Sequence, residues 1–571
     1  MHACKHNRME IASILCCYLL YQLALPKPIP GIPYNEVSVR GLLGDLPALA
    51  RHVKDGGNFA SYALSTVRAL NSPLVQIFVR PFGKPNVLLA DFGEARDLLL
   101  HRKEFDRSRV AGDLTKGFAH DHHIKLKTGE AWKSQRRLIQ DLMTPNYLHN
   151  VAGPVVYQKA RMLMDLWRIK AEIAGERPFE ASDDVFRGAL DGVMSFCFGE
   201  RFRDTAMGPA IDALHELDRG AMELKHDGNP REPVKFHVPP LNAVLESIVT
   251  ISETPLQVQG SPWPGLKWAF VLRNKRIAQA VEVKERYIHD ELEAIVERLR
   301  ASENDAEKSA VHHMVLRERA LAEKEGRAPQ YFSRVMIDEV FGFIFAGHET
   351  TSTTIGWGLK LLADNPHVSS KLRTVLRASF ALAWSEARQP TMQEIARAHI
   401  PYLDATLEEI QRCGGTTPII DREAVVDTQL LGQHIPKGTN VACLVMGPSM
   451  MEPGLVGEGT RTIHTDKGTK VKPWDPSNIS SFDPERWIAD KNGAEVFNPA
   501  AGPQLAFGLG ARACYGKRLA YLQMRIFFSL LLWNFELLPC PPVLSDYSSG
   551  LVITNKPKHC YACLREVNSF K

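Results

Sequence analysis

The chain has 571 residues, of which 44% are hydrophobic and 23% are charged, and its formal net charge is +4. This composition is ordinary for a globular protein and supplies enough apolar side chains for a large core. The charge is small for the length, and no basic stripe carries interleaved aromatic residues, so we expect no nucleic-acid partner. Ten cysteines without regular spacing argue against a disulfide framework in a chain of this size.

The first predicted element is an apolar segment at residues 11–25, which two basic residues precede. It is short for a bilayer span, which needs roughly 20 residues, so a cleaved signal peptide and a shallow interfacial helix remain alternatives. The segment passes directly into a proline-rich stretch at residues 26–33, without a small-residue cleavage pattern. We therefore expect an uncleaved membrane anchor and a stiff hinge over residues 1–34, followed by one domain over residues 35–571.

Two short strands are predicted next, at residues 75–79 and 87–90, on either side of a turn. Asp91 is expected to cap the helix that follows them. The segment at residues 107–130 is polar and contains glycine, which predicts a loop. His122 and His123 lie inside it, and we expect them to be solvated, because a metal site would lack further ligands.

Trp132 and Arg136 lie on one face of the next predicted helix, since residues four apart are neighbours on a helix. A tryptophan N–H and a guanidinium on one face can both bind carboxylate oxygens, although an ordinary surface pair is the alternative. A Pro- and Gly-rich interval follows at residues 227–265. Its Trp263, and Trp268 just beyond it, are candidates for membrane contacts or for packing.

Residues 331–363 carry apolar side chains on all sides and no proline, which predicts a long helix buried through the centre of the domain. In its middle, residues 346–351 read A-G-H-E-T-T. Burying Glu349 and Thr350 costs free energy unless they are paired, so they need a chemical or a structural reason. A helix kink with satisfied polar groups is the structural alternative. Gly347, which has no side chain, would let a planar ligand approach the helix.

Glu409 and Arg412 are three residues apart on a later predicted helix and can pair on one face. A strand is predicted at residues 416–422. Residues 453–475 are rich in Gly, Thr and Lys, and we expect a surface insertion there without a function of its own.

Residues 507–516 read F-G-L-G-A-R-A-C-Y-G and precede a long apolar helix. The glycines allow close backbone approach, and Gly516 opens the helix, so that the helix N-terminus lies near the Cys514 sulfur. The positive end of the helix dipole favours the thiolate over the thiol. Arg512 suits a carboxylate partner. For a lone cysteine, a buried structural role is the alternative.

These motifs resemble those of the cytochrome P450 family. The family's haem-thiolate pattern, F-x-x-G-x-R-x-C-x-G, is met at every fixed position from Phe507 to Gly516. Its oxygen-activating pattern, A-G-x-[DE]-T-T, is met at residues 346–351, with Glu in place of the commoner Asp. The patterns W-x-x-x-R, E-x-x-R and P-E-R occur in the expected order, so the resemblance covers roughly residues 35–568. It implies a mainly α fold with small β-sheets and haem b between the long central helix and the Cys514 loop.

The resemblance also implies roles for single residues. Cys514 is the expected axial iron ligand, and Glu349 and Thr350 are the expected proton relay to iron-bound dioxygen. Glu409 is expected to pair in the interior with Arg412 and with Arg486 of the P-E-R segment, as a structural cluster. The expected cofactor-binding residues are Trp132, Arg136, Arg422, Phe507, Arg512 and Cys514.

The implied function is that of a haem-thiolate monooxygenase that hydroxylates or otherwise oxidises a small hydrophobic substrate. The axial thiolate pushes electron density toward iron and favours O–O cleavage. The chain has no flavin or nicotinamide fingerprint, so electrons from NADPH are expected through a separate NADPH–cytochrome P450 reductase, with Lys517 and Arg518 as candidates for its docking face. The pattern resembles fungal microsomal members that tailor secondary metabolites, which implies an endoplasmic reticulum anchor and a cytosolic catalytic domain. A reductase-independent isomerase or peroxygenase and a non-catalytic haem or lipid binder are the alternatives.

Overall fold

The computed structural model describes residues 15–217, 232–301, 309–455, 471–551 and 553–567, and these are mainly α-helical with small sheets, as predicted. The α-helices are α1 (Leu46–Lys54), α2 (Phe59–Leu70), α3 (Phe92–Leu100), α4 (Arg109–Thr115), α5 (Glu130–Ile139), α6 (Pro145–Tyr147), α7 (Gly153–Ala174), α8 (Ser182–Phe198), α9 (Gly208–His215), α10 (Ala243–Ser252), α11 (Pro255–Val258), α12 (Pro264–Val271), α13 (Lys275–Ala301), α14 (Ala310–Glu325), α15 (Arg334–Asp364), α16 (Pro366–Ser379), α17 (Ala381–Ser385), α18 (Met392–Arg397), α19 (Pro401–Gly414) and α20 (Lys517–Asn534).

Short strands form one five-stranded sheet, in the order β1-β2-β8-β5-β3, and several two-stranded ribbons. In the larger sheet, β2 and β8 are parallel and the other neighbours are antiparallel. The strands are β1 (Leu74–Ile77), β2 (Asn86–Leu89), β3 (Phe105–Arg107), β4 (Phe179–Glu180), β5 (Ile419–Ala424), β6 (Thr428–Leu430), β7 (Gln433–Ile435), β8 (Asn440–Leu444), β9 (Ile488–Lys491), β10 (Ala494–Phe497), β11 (Phe535–Leu537), β12 (Ser549–Leu551), β13 (Asn555–Pro557), β14 (Tyr561–Ala562) and β15 (Leu564–Glu566).

Short 3₁₀ segments connect these elements, and a π-helical turn at Leu148–Ala152 joins α6 to α7. The 3₁₀ segments are Glu36–Arg40, His123–Lys125, Gln140–Met143, Gly199–Arg201, Pro484–Trp487, Gly510–Arg512 and Pro542–Leu544.

Helix α15 runs through the main hydrophobic core, which confirms the predicted central helix. Its first turn is capped by Ser333, whose hydroxyl accepts a hydrogen bond from the Met336 N–H at 3.3 Å. Helices α8, α19 and α20 pack against it, and every residue from Thr351 to Ala363 is buried. A helix with apolar side chains on all sides is stable only where all of its faces pack against other elements, which is the position that α15 occupies.

The predicted strands around residue 80 are confirmed as β1 and β2, and the Asp91 carboxylate accepts a hydrogen bond from the Glu94 N–H at 2.7 Å at the start of α3. The later strand, β5, begins three residues beyond its predicted start. The segment at residues 107–130 is not only a loop, because α4 and a 3₁₀ turn lie within it. Most of the predicted insertion, residues 456–470, lies outside the described residues.

The N-terminal apolar segment is described only in part, because residues 1–14 lie outside the described residues. Residues 15–24 are helical, and their leucine side chains are exposed. In the described portion of the chain, no helix has the length and apolar character needed to cross a membrane. Beyond the helix, Ile29 and Ile32 are buried against the larger sheet, where the Gln76 carboxamide bonds the backbone of both residues.

The two tryptophans of the Pro- and Gly-rich region differ. The Trp268 side chain is buried, donates to the Asp113 carbonyl at 2.7 Å and packs edge-on against Phe118. The Trp263 side chain is 61% exposed and stacks on Phe82, which is 64% exposed. Trp268 is therefore a packing residue, and Trp263 remains a candidate for a membrane contact.

Candidate functional site

The Cys514 loop is closed at its base, where the Cys514 N–H donates to the Phe507 carbonyl at 2.8 Å. Gly510 has a φ of +73°, and a Cβ built on it would lie 2.3 Å from the Leu99 carbonyl oxygen. Both the left-handed conformation and the lack of space require glycine at this position. Gly516 is the N-cap of α20, as predicted.

The Cys514 thiol is exposed at the tip of this loop. Desolvation by the surrounding protein raises the pKa of the Cys514 thiol, while the N–H groups of Gly516 and Lys517 and the charges of Lys517 and Arg136 act in the opposite direction. An accessible sulfur with backbone donors and cations around it is suited to metal ligation as a thiolate.

Two arginines stack on two aromatic rings beside the thiol. The Arg512 guanidinium carbon lies 4.7 Å from the centre of the Trp132 ring, and that of Arg136 lies 5.7 Å from the same ring. Arg136 also lies 4.0 Å from the ring centre of Tyr515, the residue after Cys514. The structure thus brings the predicted residues of α5 and of the cysteine loop together, held by cation–π contacts.

A cluster of guanidinium groups extends from these stacked side chains to Arg422 on β5, which is buried, and to Arg107 on β3, which is half-buried. Desolvation and neighbouring arginines lower the pKa of Arg107 to about 9 and of Arg512 to about 10. Among the described residues, Arg107 Nε and Arg512 Nη1 are buried and have no hydrogen-bond partner. Arginine stays protonated in proteins. The nearby carboxylates of Asp106 and Asp421 offset part of this positive charge, and an anionic group would satisfy the unused donors.

Arg107 was not predicted from the sequence. Its backbone pairs with that of Arg422 across β3 and β5, and this contact between distant segments places its side chain in the cluster. A single arginine at the edge of a polar segment carries no local signal that would have identified it.

The expectation that His122 and His123 are solvated is wrong, because both rings are half-buried against α15. The His123 N–H and Nδ1 lie 2.8 and 2.7 Å from the two carboxylate oxygens of Glu339, and His122 Nε2 lies 3.5 Å from the same group. The three side chains are close enough to share an ion. Burial lowers the pKa of His122 to about 4 and of His123 to about 3, the latter with a contribution from three nearby arginines. The positive charge of these arginines disfavours a bound cation. We therefore interpret His122, His123 and Glu339 as a structural contact that joins the loop to α15.

The predicted polar residues of α15 lie about two turns beyond Phe343, whose ring is 6.3 Å from that of Tyr515. The Thr350 hydroxyl donates to the Ala346 carbonyl at 2.7 Å, one turn earlier. Ala346 is exposed although its helix runs through the core, which indicates open space beside this turn. Glu349 is half-buried, and its Oε1 accepts a hydrogen bond from the Thr554 hydroxyl at 3.2 Å.

The expectation that Gly347 gives a planar ligand access to the helix is wrong. A Cβ built on Gly347 would lie 2.6 Å from Cγ2 of Val193 on α8. The missing side chain therefore makes room for a neighbouring helix, and Ala346 is the residue that faces open space.

The predicted Glu409 cluster is confirmed. The carboxylate is fully buried and accepts two hydrogen bonds from Arg412, at 2.6 and 2.8 Å, and one from Arg486, at 3.0 Å. The Trp487 indole N–H and the Asp483 backbone N–H also donate to it. A buried ion cluster of this kind fixes the segment at residues 478–487 on α19.

Comparison with known proteins identifies the family. The sequence model of the family described as cytochrome P450 matches residues 67–450 and 474–563. The chain belongs to the cytochrome P450 family. It is 39% identical to cytochrome P450 monooxygenase TRI13 of Fusarium sporotrichioides, over 97% of this chain and 98% of that protein. It is 35% identical to cytochrome P450 monooxygenase xilC of Penicillium rubens, over 100% of this chain and 98% of that protein.

Among solved structures, the heme domain of cytochrome P450DA superposes with a TM-score of 0.62 at 18% identity, covering 95% of this chain and 99% of that chain. The predicted fold class is therefore confirmed. As a cytochrome P450 monooxygenase, the protein uses a haem iron with a cysteine thiolate ligand, together with dioxygen and electrons supplied by a reductase. The residues present fit this cofactor, because the unpaired arginine donors match the two carboxylates of a haem and the accessible thiol matches its iron.

Proposed function

We propose that the protein is a membrane-anchored monooxygenase that uses dioxygen and electrons from NADPH–cytochrome P450 reductase to oxidise a small hydrophobic substrate. The observation that carries the site assignment is the accessible Cys514 thiol beside buried guanidinium groups with unused donors. The similarity to two fungal monooxygenases supports a place in fungal secondary metabolism.

In this proposal, Cys514 would ligate the iron, and Phe507, whose carbonyl accepts from the Cys514 N–H, would support the loop. Arg422 and Arg512, with Arg136 and Trp132, hold the haem carboxylates. The bound haem supplies the activation of dioxygen and the oxidising chemistry.

Glu349 and Thr350 hold and transfer protons in the proposed site. The hydroxyl proton of Thr350 is committed to the Ala346 carbonyl, so the lone pairs of its oxygen are free to accept a hydrogen bond from a protonated group. Glu349, one residue earlier, is half-buried and can exchange protons with solvent.

The reductase is proposed to bind the surface around the Cys514 loop. Lys517 and Arg518 are exposed at the start of α20, and the adjacent recess of about 360 Å³ is lined partly by basic residues, including Lys133 and Arg137. A cationic surface near the thiolate suits an acidic partner and speeds its association. Charge reversal at Lys517 and Arg518 is therefore expected to slow reduction, and the expected slowing is largest at low ionic strength.

Anchoring in the endoplasmic reticulum membrane is proposed from two apolar surfaces. The helical residues 15–24 expose several leucines, and a second patch contains Phe82, Trp263, Leu266 and Phe270, each more than half exposed. Exposed aromatic and aliphatic side chains of this kind favour the membrane interface. We propose residues 1–34 as the anchor and hinge, and residues 35–571 as the cytosolic catalytic domain.

The first test is the carbon monoxide difference spectrum of the reduced, detergent-solubilised protein. We expect a strongly red-shifted Soret band that Cys514→Ser abolishes and that Cys540→Ser, at a half-buried cysteine elsewhere, leaves unchanged. A spectrum typical of histidine ligation would contradict the assignment of Cys514. Well-folded protein without haem would favour the lipid-binding alternative.

The second test is the yield of product per NADPH in the reconstituted enzyme. Thr350→Ala is expected to divert electrons to hydrogen peroxide, because the hydroxyl that directs protons is lost. Thr374→Ala is the matched control, since its hydroxyl donates to the carbonyl four residues earlier on an exposed helix surface. Turnover with a hydroperoxide that is as efficient as turnover with reductase would instead favour the peroxygenase alternative.

A further inference from the structure

The Glu349 carboxylate is bound by a side chain that lies 205 residues later in the chain. The Thr554 hydroxyl lies 3.2 Å from Glu349 Oε1 and 2.7 Å from the hydroxyl of Thr353. Glu349 and Thr353 are four residues apart and share one face of α15, so Thr554 lies between them. In the described part of the chain, Thr554 is the side chain that donates to this carboxylate.

The direction of the two hydrogen bonds follows from the chemistry of the groups. When the Glu349 carboxylate is ionised it only accepts hydrogen bonds, so Thr554 then uses its single hydroxyl proton on Glu349. The Thr353 hydroxyl must then donate to Thr554. Both threonines are only 1% exposed, so water does not compete for these positions, and the chain of donors points in one direction, toward Glu349.

The backbone next to Thr554 is fixed at Asn555 by two hydrogen bonds. The Asn555 N–H donates to the Thr416 carbonyl at 2.9 Å, and the Asn555 carbonyl accepts from the Trp357 indole N–H on α15 at 2.6 Å. Thr554 is therefore held against α15 by contacts that do not involve Glu349. A long, half-exposed carboxylate side chain gains a defined orientation from a donor that is itself rigid.

We propose that Thr554 is a positioning residue that orients the Glu349 carboxylate for proton delivery. This inference rests on the proposed role of Glu349, and it adds a residue from the segment between β12 and β13 to the proton-delivery machinery. Thr554 does not transfer the proton itself. Its effect is to keep the carboxylate in one orientation beside the turn that contains Ala346 and Thr350.

The test compares Thr554→Val, which removes the hydroxyl and keeps the shape, with Thr554→Ser, which keeps the hydroxyl. We expect the valine variant to reduce product per NADPH by about tenfold, the factor that corresponds to one hydrogen bond to a charged group, with a matching rise in hydrogen peroxide. Haem content, the carbon monoxide spectrum and the KM for substrate are expected to stay unchanged. The serine variant is expected to restore coupling, the yield of product per NADPH, to within about twofold of the wild type.

Thr416→Val is the matched control. The Thr416 hydroxyl is also buried and also bonds a threonine of α15, Thr354, at 2.8 Å, but it does not contact Glu349. We expect it to leave coupling within about twofold of the wild type. A crystal structure of each variant provides a readout independent of turnover, because the Glu349 carboxylate is expected to change rotamer only in Thr554→Val.

Three outcomes would overturn the inference. Coupling that is normal in Thr554→Val but lost in Glu349→Gln would refute the role of Thr554 and leave the proposed function intact. Equal losses in Thr554→Val and Thr416→Val would indicate a general packing effect. Normal coupling in Glu349→Gln would refute the proposed role of Glu349 and this inference with it. If Thr554→Val does not load haem, Thr554→Ala removes the same hydroxyl without placing a methyl group against polar atoms, and the same criteria apply.

Discussion

At the residue scale, the arginine cluster makes the strongest argument for the haem site. Desolvation lowers the pKa values of Arg107, Arg422 and Arg512, and repulsion from neighbouring arginines adds to the lowering at Arg107 and Arg512. Asp106 and Asp421 offset part of the free-energy cost of this cluster, and a bound anion would offset more of it. The position of Arg107 therefore predicts that it contributes to haem retention, although no sequence motif identified it.

Arg107→Gln is expected to raise the rate of haem loss to apomyoglobin by about tenfold, since one charge-assisted hydrogen bond is lost. Arg109→Gln is the matched control, because Arg109 is two residues away, is exposed and pairs with Glu423. We expect that variant to release haem at the wild-type rate. Equal rates in all three proteins would contradict an anion-binding role for Arg107.

Local spacing predicted the residues of the cysteine loop and of α5, because the members of each motif lie within a few positions of one another. Helix periodicity places Trp132 and Arg136 on one face, whereas the contact of Arg512 with Trp132 joins two distant segments. His122 and His123 were predicted as solvated, because their partner Glu339 is 216 residues away in the sequence. Contacts of this kind depend on tertiary packing, which local patterns do not encode.

At the element scale, the contact between α15 and α8 depends on Gly347. Gly347→Ala adds a methyl group 2.6 Å from Val193 Cγ2, and overpacking of a core contact costs about 1–3 kcal/mol. In the absence of the clash, alanine would stabilise a helix interior by about 1 kcal/mol relative to glycine. The expected effect of Gly347→Ala therefore changes sign when Val193 is replaced by alanine.

A double-mutant cycle with Gly347→Ala and Val193→Ala measures this coupling. It compares the change in unfolding free energy caused by Gly347→Ala in the wild type with the change in the Val193→Ala background. We expect Gly347→Ala to destabilise the wild type and to be neutral or stabilising in the Val193→Ala background. An identical effect in both backgrounds would mean that Gly347 is needed for a reason other than contact with α8.

A second element-scale prediction concerns the Glu409 cluster. Glu409→Gln removes the negative charge between two buried guanidinium groups, so it is expected to destabilise the fold by about 3–5 kcal/mol. Glu485→Gln is the control, because Glu485 is half-exposed and pairs with Lys371 on the surface. The control is expected to change stability by less than about 1 kcal/mol. The stability of both variants is measured by urea denaturation, with the haem spectrum as the signal for unfolding. Equal urea midpoints for the two variants would contradict the prediction.

Element types were easier to predict than their contacts. The central helix, the first two strands and α20 carry strong periodicity or composition signals, and they lie within a few residues of their predicted bounds. Helix α4 was missed because a seven-residue helix in a polar segment gives little periodicity. The neighbours of Gly347 were predicted wrongly, because a glycine in a helix does not indicate whether a ligand or another helix fills the space beside it.

At the scale of the whole molecule, the fold follows from motifs that occur in the expected order along nearly the entire chain. The order of motifs does not indicate which surface faces a membrane. That surface has to be inferred from exposed side chains. The patch at Phe82, Trp263, Leu266 and Phe270 combines a stacked aromatic pair with two further large apolar side chains.

The final prediction tests whether this patch contacts the membrane. The chain without residues 1–25 is used, because an anchor would dominate the binding. In this background, changing Trp263, Leu266 and Phe270 to serine is expected to weaken partitioning into phosphatidylcholine vesicles by on the order of a hundredfold, since partial burial of three large apolar side chains contributes about 3 kcal/mol. A matched triple variant changes Val426, Leu382 and Val543, which are 50%, 60% and 76% exposed.

The matched variant removes three exposed aliphatic side chains at other positions, so it is expected to bind vesicles like its parent. Co-sedimentation with the vesicles measures the binding of both triple variants. The carbon monoxide spectrum checks that each variant retains its haem. If both triple variants lose binding equally, the membrane affinity depends on total apolar area and the patch has no special orientation. If only the first loses binding, the surface at Trp263 faces the bilayer and fixes the orientation of the catalytic domain on the membrane.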